Sequence, residues 1–133
     1  MLPAGEHSGD RYELGELLGR GGMGVGDAAQ DKRQRREVAL KRLLIDKSAR
    51  PADVTRAQLQ FEREYHTLSQ LAHPHVISVH GFSIDEAGPF YTMERLRGST
   101  LRALSPLPWV DACRVTRNVA SALALLHARR FVH

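Results

Sequence analysis

Five glycines within eight residues, Gly19, Gly21, Gly22, Gly24 and Gly26, constrain this chain more than any other feature. So many residues without a Cβ cannot form the interior of a helix, where each costs about 1 kcal/mol relative to alanine. They suit a tight turn or a close approach of backbone to another group, and glycine can also adopt positive φ there. Alternation at Tyr12, Leu14 and Leu18 predicts a strand running into the cluster, and Ala28 and Ala29 lead a second strand out of it. Gly19-Arg20-Gly21-Gly22-Met23-Gly24 satisfies the G-x-G-x-x-G spacing. A dinucleotide fingerprint of that spacing opens a helix, yet Gly26, Ala28-Ala29 and a charged turn follow here, without a helical apolar stripe. A P-loop would end in Gly-Lys-Ser/Thr, whereas Val25 follows Gly24. Two readings stay open on the cluster alone: a hairpin turn with no ligand, and a turn that holds phosphate.

The remaining chain divides into short strands and two long helical patterns. A basic run, Lys32, Arg33, Arg35 and Arg36, separates the second strand from a third, Val38-Ala39-Leu40-Lys41-Arg42-Leu43. Pro51 opens a helical pattern that extends to about Ala72. Strand-like runs from Val76 to Ile84 and from Pro89 to Arg95 flank the turn residues Asp85, Glu86, Ala87 and Gly88. Leu96-Arg97-Gly98 reads as a linker, and Pro108 begins a helix to about Ala128. This order predicts an α+β fold, a small antiparallel sheet with one long helix packed on it, leading into a helical lobe.

The long helix carries a carboxylate in an awkward place. Phe61, Tyr65, Leu68 and Ala72 form one stripe, and Glu64 falls on it, three residues after Phe61 and four before Leu68. Glu62 points about a quarter turn away, toward solvent. A carboxylate on an apolar face needs a charged partner or must reach water, because stranding it costs several kcal/mol.

Lys41 lies seventeen residues beyond Gly24, about the length of one hairpin, so a strand lysine can reach phosphates held at the glycine turn. With Val38-Ala39-Leu40-Lys41 behind a glycine-rich loop, the chain resembles the protein kinases, and Gly-Gly-Met-Gly is similar to the bacterial serine/threonine kinases of eukaryotic type. The resemblance runs from about Tyr12 to His133. It implies a polar leader over residues 1–11, an ATP-binding small lobe over 12–97 with a five-stranded antiparallel sheet and one long helix, and the first helices of an incomplete helical lobe over 98–133. It implies that Leu18, Gly19, Gly21, Gly22, Gly24 and Gly26 cover the nucleotide, that Lys41 orients its phosphates, and that Glu64 holds Lys41. Ala39 would roof the adenine, Met93 would be the gatekeeper, and backbone groups of Glu94 and Leu96 would meet the adenine edge.

Departures and limits come with that resemblance. Gly26 and Asp27 stand where the family has a valine over the adenine and a bulky residue after it, and His75 stands in the His73-Pro74-His75-Val76-Ile77 turn where asparagine is usual. Leu126-His127 and Phe131-Val132-His133 resemble the approach to the catalytic loop, with His133 as the first letter of His-Arg-Asp. The implied cofactors are ATP and Mg²⁺ and the implied partner is a protein substrate, but the catalytic Asp, the Mg²⁺-binding Asn and the Asp-Phe-Gly segment are not in these residues. The chain alone is therefore expected to be inactive, and a non-catalytic nucleotide-binding or interaction module is the alternative.

Composition narrows the class further. With 133 residues and 42% apolar content the chain can build a core, and its net charge of +4 sits largely in the Lys32–Arg36 run. No aromatic residues interleave that run, so no nucleic-acid role is expected. His73, His75 and His80 lack cysteine or carboxylate neighbours at ligand spacing, so no metal site is expected. The single cysteine, Cys113, excludes an intramolecular disulfide, suits a reducing, cytoplasmic setting, and is expected on the apolar face of the last helix. No apolar run approaches membrane-spanning length.

Overall fold

A computed structural model describes residues 8–132; residues 1–7 and His133 lie outside the described part, and with them most of the expected leader and the first letter of the catalytic-loop signature. The elements in chain order are α1 (Ser8–Arg11), β1 (Tyr12–Arg20), β2 (Gly24–Asp31), β3 (Arg36–Leu43), α2 (Pro51–Ser69), β4 (Val79–Asp85), β5 (Gly88–Glu94), α3 (Leu101–Leu104) and α4 (Trp109–Ala128). The five strands form one antiparallel sheet in the order β1-β2-β3-β5-β4.

Alternation along β3 and β5 gives the sheet two apolar faces. Val38, Leu40 and Phe90 join Tyr12 and Ala29 on one face, all buried. Paired arginines cover that face with their stems: Arg42 lies 4.9 Å over the Phe90 ring and is bonded to Asp85 at 2.6 Å, and Arg11 lies 5.0 Å over Tyr12 and is bonded to Asp31 at 2.9 Å. On the other face Leu43 and Tyr91 pack against Phe61 of α2, with Tyr65, Leu68, Phe82 and Met93 around them. The predicted stripe of the helix is thus the stripe that docks.

The turns follow from local side-chain bonding. In the basic turn, Asp31 Oδ1 accepts from the amides of Arg33 at 3.0 Å and Gln34 at 3.1 Å, which lets Arg35 take a positive φ of 51°. Between β4 and β5, Asp85 accepts from the Ala87 amide at 3.0 Å and Gly88 supplies φ of 110°.

Several sequence expectations shift. Helix α2 stops at Ser69, three residues before Ala72, and β4 begins at Val79, three after Val76, because the His73 carbonyl accepts from the Val76 amide in an intervening turn. The short helices α1 and α3 were not expected; Thr100 caps α3 by accepting from the Ala103 amide at 3.3 Å. In β1 only Tyr12 is buried, while Leu14 and Leu17 are about half exposed, since register slips on either side of Leu17 break the alternation. Cys113 is exposed on α4, whose only buried residue is Ala122. That helix meets the end of α2 through His73 and Ser121, 2.9 Å apart, and through Arg129, which donates to the Gln70 carbonyl at 3.0 Å. No described helix is long and apolar enough to cross a membrane.

The glycine turn contains one position where the fold itself forbids a side chain. A Cβ on Gly24 would stand 2.3 Å from the Arg42 carbonyl oxygen, whereas Cβ atoms on Gly19, Gly21 or Gly22 would meet nothing within 4 Å. Gly24→Ala should therefore lose about 2 kcal/mol or more by overpacking, and Gly22→Ala should stay within about 0.5 kcal/mol of the parent. Urea unfolding of the two variants compares them directly, and equal midpoints would show that β3 can yield to a methyl group.

Candidate functional site

Antiparallel register aligns the site residues in rows across the sheet. Gly26 of β2 faces Lys41 of β3, which faces Tyr91 of β5; one step along, Ala28 faces Ala39, which faces Met93. Residues directly opposite on one face are near neighbours. A cleft of about 360 Å³ opens along these rows under the glycine turn, within the range of small-molecule sites. Leu18, Gly19, Gly21, Gly24, Gly26, Ala39, Lys41 and Met93 of the sequence expectation line it. Gly22, Glu94 and Leu96 do not, although Glu94 adjoins Met93 at the end of β5. Arg20, Val25 and Leu40 also line it and escape the sequence reading; for the first two, their place inside the glycine turn is the available signal.

The turn is closed by the Gly21 amide donating to the Gly24 carbonyl at 2.9 Å. None of its glycines has positive φ, so the conformational argument for glycine does not apply there. Clear space does. Gly26 is similarly open, since a Cβ on it would meet only the Gly19 carbonyl oxygen, at 3.9 Å.

Beside the cleft, Lys41 Nζ donates to Glu64 Oε1 at 2.5 Å, joining β3 to α2. The Tyr91 hydroxyl donates to the same oxygen at 2.5 Å. Sequence reasoning did not single out Tyr91; its alternation on β5 places it inward, but nothing in the sequence marks its hydroxyl as a third member. Tyr91 packs against Phe61 with ring centroids 5.1 Å apart and against Tyr65 at 5.7 Å, which fixes the direction of the O–H. Glu62 lies on the more open side of α2, 3.5 Å from His66.

Electrostatics match this geometry. Burial pushes the Glu64 carboxyl up, but the hydrogen bonds from Lys41 and Tyr91 and the lysine charge outweigh it, leaving Glu64 below the usual glutamate range. Burial, and then the neighbouring carboxylate, push the Tyr91 phenol far above its ordinary value, so it stays a donor. The arrangement presents an ammonium beside a glycine-lined cleft, held by a charged carboxylate, which suits an anionic ligand with an apolar body.

At the linker, the Glu94 amide donates to the Ser78 carbonyl and its side chain accepts from the Ser78 amide, both at 2.9 Å. The Leu96 carbonyl accepts from Arg95 at 2.7 Å, and among the described residues nothing accepts from the Leu96 amide.

The protein kinase domain family matches residues 12–133. The chain is 35% identical over 135 residues to the serine/threonine-protein kinase PknB of Mycobacterium leprae, which covers 96% of this chain and 21% of that protein. It is 38% identical over 126 residues to the serine/threonine-protein kinase PknD of Mycobacterium tuberculosis, covering 92% of this chain and 18% of that one. The chain thus spans about a fifth of the length of these curated relatives.

The lowered folded-state value of Glu64 fixes the sign of its pH effect. The pair contributes stability above the unfolded glutamate pKa, and that contribution is lost as pH falls through the folded one. Following the Glu64 carboxyl by NMR should show titration below the usual range in the parent, and above it in Lys41→Met, where burial acts with one fewer opponent. Tyr91→Phe should move it the same way by less. An unmoved titration in Lys41→Met would show that the ion pair is not what holds the carboxylate charged.

Proposed function

The chain belongs to the protein kinase family, and we propose that these residues form the part that holds ATP for transfer of its γ-phosphoryl group to a protein serine or threonine hydroxyl. The observation that carries the reading is the Lys41–Glu64 bond at 2.5 Å beside the glycine-lined cleft. ATP fits what lies there. The open faces of Gly19 and Gly21 let the backbone come close to phosphate oxygens, and Lys41 supplies the point charge that orients them. Ala39, Met93 and Leu18 line the cleft and offer an apolar cover to the base. The Leu96 amide and the Glu94 carbonyl are the backbone groups for its polar edge.

ATP supplies the phosphoryl group; the residues of this chain bind, orient and neutralise. Glu64 keeps Lys41 extended toward the cleft, and Tyr91 keeps Glu64 from turning away. Among the described residues no group of three acid, histidine or cysteine side chains is arranged to hold a metal ion; Mg²⁺ bound with the nucleotide would neutralise its phosphates. The sequence contains no His-Arg-Asp, whose aspartate would take the hydroxyl proton in this family's chemistry. The protein substrate and a cytoplasmic setting belong to the same reading.

Gly26 sets the strength of binding. It faces Lys41 across the ladder, in the position of the adenine-covering valine, and leaves that contact empty. A lost valine contact is worth about 1.5 kcal/mol, roughly a tenfold change in affinity. Calorimetric titration with Mg-ATP should give a constant of ~tens of micromolar or weaker for the 133-residue chain. Gly26→Val should tighten it about tenfold, and Lys41→Met should weaken it. A submicromolar constant for the parent would overturn the role given to Gly26, and binding indifferent to Lys41→Met would overturn the site.

Radiolabelled ATP and a generic protein substrate test the chemistry. The 133-residue polypeptide should transfer no label above its Lys41→Met control, because positioning cannot replace the missing proton acceptor. Transfer above that control would mean that the catalytic centre lies elsewhere.

A further inference from the structure

A second constellation ties β1 and β3 to the linker after β5. Arg95 follows β5, and its side chain is only 18% exposed. Its Nη2 donates to Glu16 Oε1 at 3.1 Å and its Nη1 donates to the Leu96 carbonyl at 2.7 Å. Its Nε is buried without a hydrogen-bond partner and stands 3.7 Å from Glu37 Oε1. Glu37 also pairs with Arg97. Since Glu16 lies on β1 and Glu37 on β3, one guanidinium gathers two strands and the linker.

Strand β1 is where such a tie matters most. It is an edge strand, hydrogen-bonded to β2 alone, and its register slips between Leu14 and Leu17 and again between Leu17 and Gly19. Glu16 falls within the first slip. An extra residue in a strand leaves the ladder and re-aims its side chain, and here the re-aimed carboxylate meets a partner 79 positions away. Two residues further on, Leu18 and then Gly19 line the cleft. The segment that covers the site therefore follows a ladder that is interrupted twice.

We propose that Arg95 is a positioning residue of the nucleotide cleft: through Glu16 it straps β1 to the linker and so sets the height of Leu18 and Gly19 above the bound base, while Glu37 and Arg97 steady the guanidinium. This rests on the nucleotide-binding reading of the cleft. Because Glu16 is 71% exposed, the strap is screened by salt, so the affinity it supports falls with ionic strength.

Arg95→Met, Glu16→Gln and the double variant of the 133-residue chain test this by ATP titration and by amide exchange in the absence of nucleotide. Arg95→Met should weaken ATP about fivefold and Glu16→Gln about threefold, with the double variant no weaker than Arg95→Met, since both changes cut one tie. Tripolyphosphate, which lacks the base, should lose less affinity than ATP in Arg95→Met, since Leu18 then has no base to cover while Gly19 still meets phosphate. Exchange should quicken at Leu17–Arg20 and not at Val38–Leu43, which a general loss of stability would not produce. Additive losses, or unchanged ATP affinity with unchanged exchange in β1, would overturn the strap. If the parent binds no ATP, the underlying reading fails, and exchange decides alone: faster β1 exchange in Arg95→Met supports the strap, and equal exchange removes it.

Discussion

One carboxylate oxygen organises the site. Glu64 Oε1 accepts from Lys41 on β3 and from Tyr91 on β5, so helix α2 is bound to two adjacent strands through a single atom. The helix stripe requires this: Phe61 is fully buried one turn earlier, which commits Glu64 to the face against the sheet. Both charged side chains remain about one third exposed, so their bond is a modest source of stability. Its effect is geometric. Lys41 has a long flexible stem, and a bond at 2.5 Å selects one of its many rotamers, the one that points along the cleft.

The glycines divide the work that a spacing rule lumps together. Gly24 is needed by the fold, because the Arg42 carbonyl occupies the space of a side chain. Gly19, Gly21 and Gly22 face open space, and the first two line the cleft. Gly26 is a third case, an open position on the cleft wall where nothing in the fold asks for glycine. Identical residues within one short segment thus serve packing, access and the absence of a contact.

Much of this was legible in the sequence, and the reasons are local. Strands β2 and β3, helix α2 and helix α4 follow from glycine, proline and periodicity, and Glu64 was separated from Glu62 by helical phase alone. The five-stranded antiparallel sheet and the long helix came from the order of elements together with the family resemblance. What was not legible depends on long-range register. The slips in β1 leave Leu14 and Leu18 exposed although their alternation with Tyr12 predicts a strand with one buried side, and only the paired strands reveal them. Tyr91 and Arg95 acquire partners 27 and 79 positions away, and no spacing rule reaches that far. Cys113, on the apolar face that the sequence predicts for α4, is exposed, because other described elements do not cover it.

The two sides of the cleft are held by different physics. On the β3 and β5 side, a continuous ladder and the aromatic cluster of Phe61, Tyr65 and Tyr91 make a rigid wall, and the ammonium of Lys41 is fixed against it. On the β1 side the ladder is interrupted twice, most side chains are exposed, and beyond β2 the strand is tied by the Glu16–Arg95 ion pair. Segments with few buried contacts open at low free-energy cost. A site built this way holds its charge against the firm side, while the β1 side opens at lower free-energy cost.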